Sequence, residues 1–364
     1  MAKMDIVNAL PESTWKSYVR NHPHGNIFHT PEMFQVFSQT KGHSPELWAA
    51  LDRESQPLAL FMPVRVSIVG GLLMRMTTRA VSYGSVLCNA DNRGREALAV
   101  LLEAYKRKIR RRVLFTELRN VSDLRPLQPV LDKAGFAFQE HINFLVDLNC
   151  SKSELMDRLG RRTRKHIRSA LKNRRVVIEE VGHKNDVKTC FLLLNKSYRH
   201  AGVYLADQSL FETAFKVLHS KGMVRFLLAR VDGRPVATSI ELLYKDTITG
   251  WYGGIDREFS RYNPNELLTW HIFAWGIDNQ YRQYDFGGAG DPAEEYGVRD
   301  FKAKFKGERV RFGRNVCVHT PGLLLLSKLG YRVYQHIRSI NLFGRREIEP
   351  GISTTGENTQ GHQP

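Results

Sequence analysis

Residues Tyr284–Val310 read YDFGGAGDPAEEYGVRDFKAKFKGERV. The stretch opens as a strand ending on an acid, Tyr284-Asp285-Phe286, and runs into Gly287-Gly288. There the backbone can bend, or approach a ligand where a Cβ would collide. An acidic loop follows, then Gly297-Val298-Arg299-Asp300-Phe301-Lys302, a second Lys-Phe pair at Lys304-Phe305, and Gly307. A strand end, a glycine hinge and a lysine beside an aromatic ring suit acyl transfer to an amine. Such a reaction needs a group to hold negative charge on the tetrahedral intermediate, and an aimed ammonium supplies on the order of a few kcal/mol. Lys302 is the expected stabiliser of the oxyanion or leaving group, with Phe301 and Phe305 excluding water. Lys304 is its rival and would face the other way in an extended segment. Asp285 either handles a proton or caps the turn at Gly287. The alternative is a surface turn with solvated lysines.

Upstream, the pattern is three strands, a helix and a return to the strand at Tyr284. Val224 to Val231, Val236 to Tyr244 and Thr247 to Ile255 are rich in β-branched residues, and Asp232-Gly233 is a hairpin signal. Asn265 to Gln280 carries Leu267, Leu268, Ile272, Trp275 and Ile277 as a helix. Ahead of the strands come a strand from Val176 to Val181 and helices over Lys184 to His200 and Gln208 to Lys221. The polar, aromatic loop between those helices includes Arg199 and Tyr204.

The densest charge run lies just before, at Arg158, Arg161, Arg162, Arg164, Lys165, Arg168, Lys172, Arg174 and Arg175, with no acid among them. Leu155, Leu159, Ile167 and Leu171 give this helix one apolar edge. Like charges at i,i+3 and i,i+4 destabilise a helix, so Arg161, Arg162, Arg164, Lys165 and Arg168 are expected to meet a phosphate-rich ligand. A solvated face is the competing explanation.

The N-terminal half alternates similarly. Trp15 and Val19 share a helix face, and Thr30-Pro31 reads as an N-cap with proline in the first turn. His29 beside it is expected to cap or pack. Strands are expected at Glu46 to Asp52, Leu58 to Val69 and Thr77 to Leu87, the last kinked at Tyr83-Gly84. Arg95 to Arg112 is a helix with an apolar stripe and a basic C-terminal end. Leu114 to Leu118, a helix from Leu124 to Ala134 and Phe144 to Leu148 close a first unit near Asn149.

The 364 residues suffice for two domains, with 42% hydrophobic and 25% charged residues in globular proportions. A net charge of +17 predicts a polyanionic partner such as nucleic acid, a nucleotide-linked sugar or an anionic membrane surface. Cys88, Cys150, Cys190 and Cys317 form no metal spacing, which predicts reduced thiols in a cytoplasmic protein without a metal site. Pro321 to Ile337 is leucine-rich and basic, a terminal helix with an interfacial membrane helix as the lesser alternative. The polar residues from Gly351 onward predict disorder.

The order Tyr-Asp-Phe-Gly-Gly, polar loop, Gly-Val-Arg-Asp-Phe-Lys-Ala-Lys-Phe resembles the closing signature of the FemABX-like aminoacyltransferases. These tandem GNAT-like enzymes add amino acids from aminoacyl-tRNA to peptidoglycan precursors. The likeness extends from Arg161 to Gly290, where it also touches the wider acetyltransferase family of polysaccharide clusters. It implies an α/β (α+β) fold of two GNAT-like domains with mixed sheets, over 1–150 and 151–320, then a C-terminal helix over 321–345 and a tail over 346–364. It points to Phe301-Lys302 as the functional pair and to Arg199 as a contact to substrate phosphate. Tyr83, Tyr204, Gly287 and Gly288 are expected to line the substrate groove. The N-terminal segment Asn26–Phe34 has no lysine where the family often has one, which leaves the acceptor open between peptidoglycan precursors and nucleotide- or lipid-linked sugars.

The donor expected is aminoacyl-tRNA, with no bound cofactor; the alternative is acetyl-CoA used by an N-acetyltransferase. A CoA enzyme of this fold cradles pyrophosphate on a glycine loop at a helix N-terminus. The corresponding residues, Asp256 to Glu266, contain no glycine. A monomer is expected, in the cytoplasm and secondarily at the inner face of the membrane. A non-catalytic nucleic-acid or membrane-binding module would explain the charge but leave the lysine and glycines idle.

Overall fold

Helix starts follow the capping residues. In the computed structural model, which describes residues 4–67 and 77–327, Thr30 accepts the Met33 amide at 3.2 Å and Pro31 fills the first turn. Proline has no amide to leave unpaired there. Asp91 likewise accepts the Gly94 amide at 2.7 Å ahead of the first long helix.

The chain begins β1 (Asp5–Val7), α1 (Glu12–Asn21), α2 (Pro31–Ser38), β2 (His43–Pro45), β3 (Trp48–Leu51), β4 (Pro57–Phe61) and β5 (Val64–Val66). It continues β6 (Arg79–Ser82), β7 (Val86–Cys88), α3 (Asn92–Ile109), β8 (Phe115–Arg119), α4 (Gln128–Lys133), β9 (Ala137–Gln139) and β10 (Asn143–Asp147). Then come α5 (Lys152–Arg158), α6 (Arg161–Asn173), β11 (Val176–Glu180), α7 (Lys184–His200), α8 (Gln208–Leu218), β12 (Val224–Val231), β13 (Arg234–Tyr244) and β14 (Thr247–Ile255). The last elements are α9 (Pro264–Asp278), β15 (Gln283–Gly288), α10 (Gly297–Ala303), β16 (Glu308–Val310) and β17 (Arg314–Val318).

Three sheets result, ordered β1-β3-β4-β7, β2-β5-β6-β8-β17-β9 and β11-β12-β13-β14-β15-β10-β16. The long strand expected from Leu58 divides at Met62-Pro63, where proline lacks the amide a ladder needs. The strand expected around Tyr83 also divides, at Tyr83-Gly84-Ser85. At both corners the chain passes between the four-stranded and six-stranded sheets. The second corner needs a glycine, because a Cβ on Gly84 would lie 2.5 Å from Asn26 Oδ1.

The continuous basic helix expected from Arg158 is broken at Leu159-Gly160 into α5 and α6. Two strands join distant sequence. β10 pairs with β15 and β16 in the seven-stranded sheet, while β17 enters the six-stranded sheet between β8 and β9.

One buried cluster packs Trp15, Met33 and Phe37 of the N-terminal helices against Leu194, Phe211, Phe226 and Ile240. Each such side chain contributes about 1.5–3 kcal/mol by leaving water. A second cluster gathers Phe144, Ile167, Leu268, Phe273 and Phe305 around α9, and a third lies under α3 with Trp48, Phe61 and Tyr105.

Met1–Thr320 form one compact unit and Pro321–Pro364 another. In the second, residues 321–327 are helical. The remainder of the expected terminal helix and the tail, like Ile68 to Gly71 in the first unit, lie outside the described residues.

Candidate active site

β14 and β15 run parallel over only three residues each, Thr247–Thr249 against Gln283–Asp285. Beyond that point β15 continues pairing with β10 as far as Gly288, while β14 continues with β13. The strands therefore part at Gly250. Gly287 takes a positive φ of +67°, and the side chain of Asp285 fixes the bend by accepting its amide at 2.7 Å. The same Asp285 oxygen accepts Asn143 Nδ2 at 2.6 Å. Burial raises the Asp285 pKa above the ordinary carboxylate value. Of the two roles open to Asp285, these hydrogen bonds are those of a turn cap.

Residues 297–303, short of a stable helix alone, form α10 against this bend and bring Lys302 over it. Lys302 Nζ donates to the carbonyls of Phe286 at 2.5 Å, Gly288 at 2.9 Å and Gly287 at 3.2 Å. All three ammonium donors are thus engaged. Burial lowers the Lys302 pKa to about 8, with Asp285 and Glu241 pulling it back up. Lys302, Asp285, Gly287 and Gly288 therefore assemble at one place. Phe301 lies beside them edge-on to Phe305 with centroids 5.3 Å apart, and Phe305 is buried against Phe273 and Phe286.

Lys304 has a different setting. The segment is helical rather than extended, and Lys304 reaches Glu266 Oε1 at 3.2 Å. Glu266, buried in the first turn of α9, also receives His166 from α6 at 2.8 Å.

Glu241 was not singled out from sequence. It sits on β13 at an irregularity after Ile240, where Glu241 pairs with Gly250 and Trp251 is skipped. Bulges of this kind re-aim side chains. Glu241 is buried, accepts Tyr284 OH at 3.1 Å and is also bonded by Ser239. Burial raises its pKa to about 7. The Tyr284 hydroxyl crosses β14 to reach it, which Gly250 permits: a Cβ there would lie 2.5 Å from that hydroxyl. The signal available was a single acid inside the apolar run Ile240-Glu241-Leu242-Leu243.

The remaining expected residues lie elsewhere. Tyr83 stacks on Phe37 at 5.2 Å and lies under the Arg119 guanidinium at 5.1 Å. Arg199 lies exposed in the last turn of α7 and Tyr204 is exposed in the loop beyond. Among the described residues, no hydrogen bond or ion pair fixes the Arg199 guanidinium, although its carbonyl accepts the Gly202 amide at 3.2 Å. Arg161, Arg164, Lys165 and Arg168 line an open concavity of about 460 Å³ along α6, while Arg162 lies off it. Arg164 and Arg168 are held by Asp157 at 3.2 and 3.6 Å.

Residues 158–302 match the family described as "Acetyltransferase (GNAT) domain", a span ending on Lys302 itself. The protein is an acyltransferase, and the GNAT-type match is to that span of it. Among solved structures it is similar to FemX, with a TM-score of 0.69 at 16% identity over 88% of this chain and 99% of that one. L-PGS from Bacillus licheniformis follows at TM-score 0.54 and 13% identity, over 88% and 97% of the two chains. A tandem GNAT protein from the clavulanic acid biosynthesis pathway gives 0.54 at 9% identity, over 87% and 99%. At these identities the likeness is one of fold, a tandem GNAT-like arrangement of mixed sheets. A comparison with curated proteins returns no match.

Proposed function

We propose that the protein transfers an aminoacyl group from aminoacyl-tRNA to an amine on a cell-envelope precursor, of peptidoglycan type or a nucleotide- or lipid-linked sugar. The observation that carries the choice of donor is Glu266. A CoA pyrophosphate in this fold would rest on the N-terminus of the helix after β14, where backbone amides and the dipole attract anions. Here a buried carboxylate of the protein occupies the first turn of α9, tied to His166 and Lys304. Another anion at that turn would meet like charge. The basic face of α6 offers instead a row of guanidinium and ammonium groups suited to an RNA backbone.

In this reading the acceptor amine attacks the aminoacyl ester in the opening between β14 and β15. Glu241, whose pKa is raised to about 7, takes the proton released as the nitrogen–carbon bond forms. Lys302 turns one donor from its carbonyls to the oxyanion and then protonates the departing ribose oxygen as the ester bond breaks. The turn capped by Asp285 fixes where those carbonyls, and hence the ammonium, stand. Among the described residues no helix is long and apolar enough to cross a membrane. A monomer reaching its acceptor at the inner membrane face accords with the net charge of +17.

Acetyl-CoA is the competing donor, favoured by the match to an acetyltransferase domain. Radiolabel transfer with charged tRNA and acetyl-CoA offered together separates the two. Label is expected to move from tRNA; transfer from acetyl-CoA with inert tRNA would overturn the proposal.

A further inference from the structure

A second charged group lies outside the chemistry just described, on the six-stranded sheet. Arg119 pairs directly with Arg314 across β8 and β17, Glu117 lies two residues from Arg119, and Val81 pairs with Glu117 across β6 and β8. With side chains alternating along each strand, Arg79, Glu117, Arg119 and Arg314 share one face. The opposite face, with Ala80, Leu118 and Cys317, is covered by the core under α3. Like charges placed opposite one another on a sheet are destabilising, so the arrangement needs a compensating anion.

Among the described residues the protein supplies only one on this face. Glu117 Oε1 accepts Arg119 Nε at 3.0 Å and Arg314 Nη1 at 2.7 Å. Arg79 Nε is buried without a hydrogen-bond partner. His141 offers no charge, because its Nε2 accepts Arg314 Nη2 at 3.0 Å, and burial beside Arg314 lowers its pKa to about 4. Three guanidinium groups thus surround one carboxylate. Side-chain exposures of 34% for Arg119 and 29% for Arg314 leave both within reach of a ligand.

The face adjoins Lys302 through a single residue. The Gly288 carbonyl accepts Lys302 Nζ at 2.9 Å. A Cβ on the same glycine would lie 2.5 Å from His141 Nε2 and 3.7 Å from Arg314 Nη2.

We infer that Arg79, Arg119 and Arg314 form an anion subsite for the acceptor, taking a phosphoryl or dicarboxylate group of about two negative charges one glycine away from Lys302. Planar guanidinium forks match the oxygens of either group, and the charge is the one the face lacks. The site moves the expected anion contact from exposed Arg199 to the interior. The acceptor's part in it rests on the acyl-transfer reading; the anion binding itself does not.

Calorimetric titration at constant ionic strength tests this with pyrophosphate, inorganic phosphate and malonate as probes. One saturable site is expected, with Kd raised about tenfold or more by Arg79→Gln, as loss of a charge-assisted contact implies. Arg314→Gln should act likewise, and Arg79→Gln keeps the test valid if breaking the Glu117 pair unfolds that variant. Preference for the phosphates over malonate assigns a phosphoryl group, and the reverse a carboxylate; either supports the site. The inference is overturned if none of the probes saturates, or if both variants bind as the parent does. It is equally overturned if the site disappears only in Arg161→Glu/Arg164→Glu/Arg168→Glu. Failed transfer from either donor would remove the functional reading while leaving this binding result intact.

Discussion

Lys302 and Lys304 stand two residues apart, yet they occupy opposite kinds of place. Lys302 faces carbonyl dipoles, with two carboxyls nearby but neither in direct contact, and its pKa falls to about 8. Lys304 closes an ion-pair set in which Glu266 has His166 as its other partner. A buried charge left without a direct counter-ion is costly, and such sites concentrate where chemistry is done. A charge that completes a local set holds elements together. On the proposed function Lys302 is the working lysine and Lys304 the structural one, a difference of setting that residue type does not reveal.

The largest expected effect breaks the comparison directly. Lys302→Met should lower kcat about 100- to 1000-fold, the usual cost of a lost oxyanion donor, without lowering Tm. Lys304→Met should do the reverse, leaving kcat per folded molecule unchanged and lowering Tm. Equal losses of kcat would place both lysines in the chemistry.

Next in size is Glu241→Gln, expected to cost about 100-fold in kcat at neutral pH. In the parent, kcat/KM should rise as Glu241 ionises through about 7 and fall as Lys302 loses its proton through about 8. The variant should lose the acid limb and keep the alkaline one. Stability carries the opposite sign: the fold favours protonated Glu241, so this contribution is present below the ordinary carboxyl value of 4.5 and lost as pH rises through about 7. Denaturation midpoints across that range should fall more steeply in the parent than in the variant.

Gly250→Ala sharpens the same region by steric means. Its Cβ would meet Tyr284 OH at 2.5 Å, so about 1–3 kcal/mol of stability should be lost in a denaturant titration, with the Tyr284 contact to Glu241 displaced. The smallest effect falls on the structural side of the comparison. Glu266→Gln keeps the volume but removes the charge between His166 and Lys304, and should cost about 1 kcal/mol with turnover retained.

Much of the architecture was legible because the strands and helices obey local rules. The helix over Lys184–His200, the strands over Val224–Val231 and Thr247–Ile255, and the cap at Thr30 all lie where periodicity and capping put them. The sheet switches at Pro63 and Gly84 and the insertions of β10 and β17 were not legible, because partner choice across more than a hundred residues leaves no local pattern.

The same divide runs through the site. Lys302, Asp285, Gly287 and Gly288 are neighbours in sequence and meet in space. Glu241, Gly250 and Tyr284 come from three strands, and only the parting of β14 from β15 explains why an acid, a glycine and a tyrosine belong together. Arg79, Arg119 and Arg314 were invisible for the same reason, being single residues on strands whose order runs against the sequence.

The most direct test of the central claim is the ionisation of Lys302 itself, followed by carbon-13 NMR of its ε-carbon against pH, with Lys302→Met identifying the signal. A midpoint near 8 is expected, while an ordinary lysine midpoint near 10.5 would contradict the account.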